Sequence, residues 1–200
     1  GPGDSGGNIE INISSGSTNI NNTFSTGLSN IADGKWHHYA FTAKTSLDKT
    51  ILNFYLDGKH INESKDTNTI NAIDGKMKAS IGSLAGPLSG SVTEIYADEG
   101  WGNITSASFD EFRYWKTERD AQQIGRYWRD QVNGGTNTDN VKYDDQNYEV
   151  DLGVYYKFNE GIVGSTATDS NVLDYSGRIS NGELINYTSD CRNIGSAIVI

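Results

Sequence analysis

The segment with the strongest pattern for ligand recognition is residues 98–103, DEGWGN, in which Trp101 lies between two glycines. An indole ring on an exposed loop can stack on the face of a sugar, and Asp98 and Asn103 supply groups that bond sugar hydroxyls. Tyr96, just before this segment, would add a second ring. The pattern therefore predicts a ligand-binding loop formed by Trp101, Tyr96, Asp98 and Asn103. The alternative is that Trp101 packs at the end of a β-sandwich.

Other side chains that could perform chemistry are sparse. His37 and His38 are adjacent, so a strand would direct them to opposite faces, which favours packing over ligand binding. The three histidines show neither helical nor zinc-finger spacing. Cys191 is the sole cysteine, which excludes an intrachain disulfide and a thiolate metal cluster. The sequence also lacks a G-x-S-x-G motif and a glycine-rich phosphate loop.

Composition limits both the fold and the partners. The chain has 200 residues, 35% hydrophobic residues and 23 glycines, which predicts one all-β domain of short strands and polar turns. The formal charge of −10 argues against nucleic acid and anionic membranes as partners, because both need a basic surface. No apolar run is long enough to insert into a membrane. Residues 1–3, GPG, are typical of a cloning remnant and predict a segment of a longer chain with neighbouring domains.

Hydrophobic periodicity predicts the strands that must position these residues. Residues 8–14, NIEINIS, and 51–58, ILNFYLDG, alternate between apolar and polar side chains, and the second segment ends in an Asp-Gly turn. The polar residues 14–22 between them are predicted to be a loop or a hairpin. Residues 109–115 carry large side chains on both faces, which predicts a strand covered on both sides. Thr117 then begins a capping signal for a short α-helix that ends at an Asn-Gly-Gly stop.

The predicted core combines the apolar positions of these strands with those of two later segments. Its members are Ile9, Ile11, Leu52, Phe54, Leu56, Ile81, Val154, Tyr156 and Phe158.

Four segments occur in the order and spacing of a known pattern. They are DGKWHHYAFT from residue 33, LNFYLDGK from residue 52, IGS from residue 81 and FDEFRYW from residue 109. Together they cover about residues 32–132 and resemble the laminin-G-like domains of the concanavalin A-like lectin and glucanase superfamily. The resemblance implies an all-β, two-sheet antiparallel jelly-roll sandwich with one short α-helix. The residues alone predict only an antiparallel sandwich.

The resemblance also defines what a glucanase would need. Such an enzyme carries E-x-D-x-x-E on one strand, with alternate carboxylates acting as nucleophile and as acid/base. The nearest match begins at Glu149 and Asp151, but Val154 stands at the third position. Asp110 and Glu111 are neighbours on one strand and project to opposite faces. We therefore predict no catalytic residues and a domain that is not an enzyme.

The resemblance further implies a structural calcium ion where the strand containing Asp110 meets the strand that opens such domains. Carried over by position, Asp110 supplies a carboxylate, and carbonyl ligands come from near Asn159 and Glu160. Asp174 and Asn181 are metal candidates by composition only. The alternative is that Asp110 only accepts hydrogen bonds from backbone amides.

Residues 151–161, DLGVYYKFNEG, resemble the segment that normally opens such a domain, although here it comes last. Two arrangements stay open: the segment completes the sandwich begun at the N-terminus, as in a circular permutation, or it begins a second repeat. We favour completion, because the opening strand of these jelly rolls lies beside the strand at residues 109–115. The predicted organisation is one domain of residues 1–200, with a main part at 1–132, a connecting loop at 133–150 and late strands at 151–200.

Three classes of function remain. The first is a non-catalytic recognition module that binds a glycan or a protein surface. The second is a structural spacer module, which is favoured by a faint resemblance of residues 174–182 and 195–200 to segments of large phage structural proteins. The third, a glycoside hydrolase, lacks its carboxylates. We predict the first class, as part of a larger protein of an extracellular surface or a virion.

Overall fold

The computed structural model describes residues 7–15, 17–28, 33–70, 81, 107–132 and 151–192. The chain forms two compact units, Gly1–Ser106 and Ala107–Ile200. Most regular structure in the described ranges consists of antiparallel strands, with only a few short helical turns. The predicted all-β class is therefore confirmed. No helix in these ranges is both long enough and apolar enough to cross a membrane.

The described part of the first unit contains five strands. They are β1 (Asn8–Ser15), β2 (Thr18–Ser25), β3 (Tyr39–Ser46), β4 (Lys49–Leu56) and β5 (Lys59–Asp66). Strands β1 and β2 form a hairpin that places Ile13 opposite Ile20 and Ile9 opposite Phe24. Strands β3, β4 and β5 form a three-stranded antiparallel sheet. Of the two predictions for residues 14–22, the hairpin is therefore the correct one.

One apolar cluster joins the hairpin to the three-stranded sheet. Its fully buried members are Ile20, Phe24, Leu52, Phe54 and Leu56. Ile9 and Ile11 are partly buried against this cluster, as predicted. Ile81 was a predicted core residue, but it is 42% exposed, so that prediction is wrong. A segment as short as I-G-S shows no hydrophobic periodicity, so it cannot predict whether its apolar residue is buried.

The described part of the second unit contains four strands and three short helical segments. They are β6 (Phe112–Trp115), α1 (Ala121–Tyr127), β7 (Leu152–Tyr156), α2 (Thr166–Asp169), β8 (Asn171–Val172), β9 (Gly182–Glu183) and a 3-10 turn at Ser189–Cys191. Strand β7 pairs with β6 in antiparallel fashion. The predicted pairing of residues 151–161 beside residues 109–115 is therefore confirmed. Whether this pair completes the sandwich begun by β1 stays a prediction.

The buried face of β7 differs from the predicted alternation because the strand contains a bulge at Gly153. Leu152 pairs with Trp115 and Val154 with Tyr114, which leaves Gly153 without a partner in the register. The extra residue moves Leu152 to the face opposite Val154. Leu152 and Tyr155 are therefore buried. Val154, Tyr156 and Phe158, which were predicted core residues, are only partly buried.

Helix α1 begins later than predicted. Its N-cap is Asp120, whose carboxylate accepts a hydrogen bond from Gln123 N at 2.7 Å, while the Gln123 side chain accepts one from Asp120 N at 3.1 Å. This is a complete capping box, and it satisfies two donors that the first helical turn leaves free. The predicted start at Thr117 is wrong, because the Thr117 hydroxyl instead donates to Asp151 Oδ1 at 2.9 Å.

Truncation of Phe54 tests the core of the first unit. Phe54 is fully buried, so Phe54→Ala should destabilise the protein by about 3–5 kcal/mol. Leu47→Ala is the control, because Leu47 is 98% exposed and its truncation should change stability by less than about 0.5 kcal/mol. Denaturant unfolding measures both values, and equal melting of the two variants would contradict the proposed core.

Substitution of Gly153 tests the bulge. A Cβ atom at this position would lie 2.8 Å from Tyr114 Cδ1, so Gly153→Ala must displace the ring and should destabilise by about 1–3 kcal/mol. Gly161→Ala is the matched control, because nothing lies within 4 Å of a Cβ atom built there. If thermal unfolding shows Gly153→Ala to be as stable as Gly161→Ala, the bulge is not located at Gly153.

Candidate functional site

Residues 33–38, which we call the Trp36 loop, approach β3 through a turn fixed by Asp33. Asp33 Oδ1 accepts a hydrogen bond from Lys35 N at 2.9 Å, a side-chain mimic of a backbone turn. Gly34 lies between them with φ of +77°, a conformation that suits glycine. The Asp-Gly-Lys sequence therefore reverses the chain immediately before Trp36.

A second Asp-Gly turn, between β4 and β5, faces this loop. Asp57 and Gly58 have φ values of 49° and 74°, which are typical of a type I′ hairpin turn. Asp57 N donates to His38 O at 2.9 Å, and Asp57 Oδ1 accepts from His38 N at 2.9 Å. The backbone N–H and the Oδ1 atom of Asp57 therefore both hold His38, at the end of the Trp36 loop. The second carboxylate oxygen, Oδ2, faces His37.

The imidazole of His37 lies between two carboxylates, an arrangement that we call the His37 clamp (Asp33, His37 and Asp57). Its Nδ1 is 2.9 Å from Asp57 Oδ2, and its Nε2 is 3.2 Å from Asp33 Oδ2. Only 12% of the His37 side chain is exposed. Its ring also meets the edge of Tyr39, with centroids 6.3 Å apart. The clamp thus connects the loop to the β4–β5 turn and to the first residue of β3.

The charges of the clamp stabilise one another. The pKa of His37 is raised above 6.5, chiefly by the hydrogen bond to Asp57 and then by the bond to Asp33, against the opposing effect of burial. The pKa of Asp33 is lowered, first by the hydrogen bond from Lys35 N and then by His37. The clamp is therefore an imidazolium between two carboxylates at pH values below 6.5.

Trp36 is presented to solvent by this frame. The residue is 56% exposed, although its two neighbours in sequence are bonded to the frame through Lys35 N and the His37 ring. The Lys35 side chain is 74% exposed, with Nζ 3.8 Å from Asp33 Oδ2. An exposed indole beside charged hydrogen-bonding groups can stack on a sugar face while those groups bond its hydroxyls. Both nitrogens of His37 face carboxylates of the protein.

The prediction that His37 and His38 are strand residues is wrong, and so is the prediction that His37 is a packing residue. Strand β3 begins at Tyr39, so both histidines precede it. His37 is held by carboxylates rather than by apolar side chains. Prediction from sequence missed this site because the two Asp-Gly turns are 24 positions apart and meet only through the pairing of β3 with β4. The D-G-K-W-H-H segment was the one signal present.

The ligand-binding residues that the sequence predicted lie outside the described residues. These are Tyr96, Asp98, Trp101 and Asn103.

Two of the five predicted metal ligands, Asp174 and Asn181, form a hydrogen-bond network around the end of β7. Asp174 Oδ1 accepts from Tyr155 N and Ser176 N, both at 2.9 Å, and Asp174 Oδ2 accepts from Ser180 N at 2.9 Å. The Ser176 hydroxyl also donates to Oδ2 at 2.9 Å. Asp174 N donates to Asn181 Oδ1 at 2.9 Å. The four donors fill the acceptor positions of the carboxylate.

The pKa of Asp174 reflects these bonds. Burial acts to raise it, but the hydrogen bonds from Ser176, Tyr155 and Ser180 outweigh burial, and the pKa lies below 3.8. Asp174 therefore stabilises the folded state as an anion. This stabilisation is lost as pH falls through the pKa of the folded state.

Glu160 is committed to a different partner. Its Oε2 is 2.7 Å from Nη1 of Arg192, whose side chain is almost fully buried, and its Oε1 accepts from Leu173 N at 2.9 Å. The carboxylates of Glu160 and Asp174 as arranged do not fit a calcium site, because their oxygens already receive N–H and O–H donors. Asn159 is exposed, and Asp110 Oδ1 accepts from Glu111 N at 3.0 Å. In the described part of the chain, no group of three His, Cys, Asp or Glu side chains is arranged to hold a metal ion. Calcium stays a prediction that depends on the Asp110 carboxylate and on backbone carbonyls from near Asn159 and Glu160.

Glu111 performs a structural role in the second unit. Its carboxylate accepts from the Tyr155 hydroxyl at 2.5 Å and Gln131 Nε2 at 3.1 Å, and it pairs with Arg113 at 3.2 Å. Burial, and then the bond to Glu111, raises the pKa of Tyr155, so the phenol stays protonated. The Glu111 carboxylate is consequently not available as a catalytic group.

A comparison with protein-family models gives one match. It covers residues 3–125, more than half of the chain, and the model describes the concanavalin A-like lectin/glucanases superfamily. Neither the curated proteins nor the solved structures contain a match to this chain. The sequence resemblance over residues 32–132 is thus confirmed by an independent description of the same family.

Replacement of Asp174 tests its role as a hydrogen-bond acceptor. Asp174→Asn places an N–H₂ group where one oxygen accepts two bonds, so we expect destabilisation by about 1.5–3 kcal/mol. The matched control is Asp190→Asn, which removes the same charge from an exposed residue and should melt like the wild type. Equal stability of both variants would show that the network around Asp174 contributes nothing.

Proposed function

Because this chain belongs to the concanavalin A-like lectin/glucanases superfamily, we propose that it is a non-catalytic recognition module that binds a glycan through the Trp36 loop. The observation that carries the proposal is the exposed ring of Trp36, 56% accessible on a loop whose backbone is fixed on both sides. Trp and Tyr rings are enriched among the few residues that carry most of the binding energy of an interface.

Rigidity of the Trp36 loop supports this function. A loop that is ordered before binding loses less conformational entropy when a ligand arrives, so more of the contact energy appears as affinity. The Asp33 turn fixes the chain before Trp36, and Asp57 fixes it after His37. The exposed Lys35 ammonium, next to Trp36 in sequence, is a donor for sugar hydroxyls. The loop therefore offers a stacking surface and an exposed hydrogen-bond donor.

A non-catalytic role agrees with how the described carboxylates are used. The superfamily name includes glucanases, which need two carboxylates that flank the bond to be cleaved. Glu111, Glu160 and Asp174 are each bonded to protein donors. The carboxylates of Asp33 and Asp57 bind His37. These five carboxylates serve the structure rather than a reacting sugar.

The loop with Tyr96, Asp98, Trp101 and Asn103 is proposed as a second contact region for the same ligand. Like the Trp36 loop, it has a Trp that follows an acidic residue and a glycine. We further propose that the module belongs to a larger surface or virion protein, in which it binds a glycan or a protein surface. The competing function is a structural spacer, which would bind no sugar.

Removal of the Trp36 ring tests the proposed function. A glycan array should identify an oligosaccharide that the wild-type protein binds, and calorimetry then measures its affinity. Trp36→Ala should weaken this affinity at least about tenfold, which corresponds to about 1.4 kcal/mol of binding free energy. The ring is exposed, so the variant should unfold at nearly the wild-type temperature.

Phe109→Ala is the control for loss of an exposed aromatic ring, because Phe109 is 43% exposed and lies in the second unit. The Phe109→Ala variant should bind the oligosaccharide with the same affinity as the wild type. Binding that is unaffected by Trp36→Ala would place the ligand elsewhere. A wild-type protein that retains no glycan on the array would support the spacer function instead.

A further inference from the structure

The His37 clamp needs two N–H groups on one imidazole. Asp57 Oδ2 and Asp33 Oδ2 are both acceptors, one at each ring nitrogen. A neutral imidazole carries one N–H and one bare nitrogen, so it can donate to only one of the two carboxylates. Loss of a single proton therefore replaces one of these hydrogen bonds with repulsion between a nitrogen lone pair and a carboxylate.

We propose that the His37 clamp is a proton-dependent lock, which holds the Trp36 loop against the β4–β5 turn when His37 is charged and releases it when His37 is neutral. His38 is bonded to Asp57 through its backbone whatever the charge of His37, so the lock acts on residues 33–37, where Asp33 is connected to Asp57 through the His37 ring. Release would leave Asp57 bonded to His38 but would free the part of the loop that contains Asp33 and Trp36.

The charged groups around His37 favour its protonated form. Asp33 and Lys35 face it from the loop, Asp57 faces it from the β4–β5 turn, and the phenol of Tyr39 faces it from β3. With His37 protonated, two negative and two positive charges balance in this cluster. Deprotonation leaves one excess negative charge. The pKa of Tyr39 is raised, first by burial, so its phenol adds no charge at moderate pH.

The direction of the pKa of His37 fixes the pH range. The pKa is above 6.5 in the folded protein, chiefly through Asp57 and then Asp33. A raised folded-state pKa means that the clamp contributes its full stability below 6.5 and loses it as pH rises through the folded-state pKa. The lock is therefore closed in acid and opens towards alkaline pH.

The consequence for ligand binding rests on the proposed function, because only then does the order of Trp36 affect affinity. The lock itself can be measured without a ligand. The two inferences can therefore fail separately.

The test is an NMR titration of the full chain from about pH 5 to about pH 9, a range that covers the ordinary transition of histidine. The His37 ring should titrate above 6.5. The indole N–H of Trp36, assigned by its absence in Trp36→Phe, and the amide of Lys35 should shift with the same midpoint. A His37 ring that titrates at or below 6.5, or Trp36 and Lys35 signals that do not follow it, would overturn the proposal.

Variants separate the two carboxylates. Asp57→Asn and Asp33→Asn should each lower the midpoint of His37, and Asp57→Asn should lower it more, because its hydrogen bond is the larger cause of the shift. Unchanged midpoints in both variants would contradict the clamp. The wild-type titration needs no variant, so the proposal stays testable if a substitution prevents folding.

A stability measurement adds a control histidine. The difference in unfolding midpoint between wild type and His37→Gln should decrease as pH rises. His60→Gln is the control, because the His60 ring bonds only the neutral amide of Asn53, at 2.9 Å, and meets the edge of Tyr55. The His60→Gln protein should keep the wild-type dependence on pH at the Trp36 loop. A pH-independent effect of His37→Gln would mean that His37 has a packing role only.

Discussion

The stack of aromatic rings centred on Phe54 is the interaction on which the first unit depends. Its ring centroid lies 5.8 Å from that of Phe24 on β2 and 5.0 Å from that of Phe41 on β3. The Tyr39 ring lies 6.5 Å away and is nearly parallel to it. Such offset arrangements add to the energy of burial. Because Tyr39 also contacts the His37 ring, the apolar core supports the charged clamp above it.

Local patterns predicted the strands of the first unit well, and non-local contacts explain what they missed. Alternation located β1 and β4, because apolar residues recur at every second position of each strand and the period of two is a local property. The bulge at Gly153 could not be predicted, because the position of an extra residue depends on the partner strand. The helix start was misplaced because Thr117 and Asp120 are both acceptable N-caps, and Asp151 binds Thr117.

The candidate site was less predictable than the fold. Trp36 and His37 belong to the segment that carries the family resemblance, yet their roles depend on Asp57, which reaches them only when β3 and β4 are paired. Asp174 was predicted as a metal candidate from composition, and Glu160 from its position near the expected carbonyl ligands. Whether these carboxylates can bind a cation depends on which hydrogen-bond donors the fold places beside them. Backbone N–H groups and Arg192 satisfy these carboxylates, so an acidic loop in this chain is not by itself a cation site.

The second unit uses its acidic residues as internal acceptors. Asp169 is buried and accepts from Val163 N at 2.9 Å and Gly164 N at 3.0 Å. Glu111 binds Arg113 and Tyr155. Polar turns are expensive to bury unless their N–H groups find partners, and a carboxylate satisfies several at once. Part of the acidic composition is therefore explained by chain folding rather than by a charged exterior.

The charge balance within the His37 clamp has a consequence for the kinetics of association. The protein carries a formal charge of −10, which sets up a long-range field that slows the approach of anions. The region around Trp36 contributes almost nothing to that field, since Asp33 and Asp57 are neutralised by His37 and Lys35. An uncharged oligosaccharide would therefore associate at a rate that hardly changes with ionic strength. An anionic one would associate faster as added salt screens the remaining charge over a Debye length of about 8 Å.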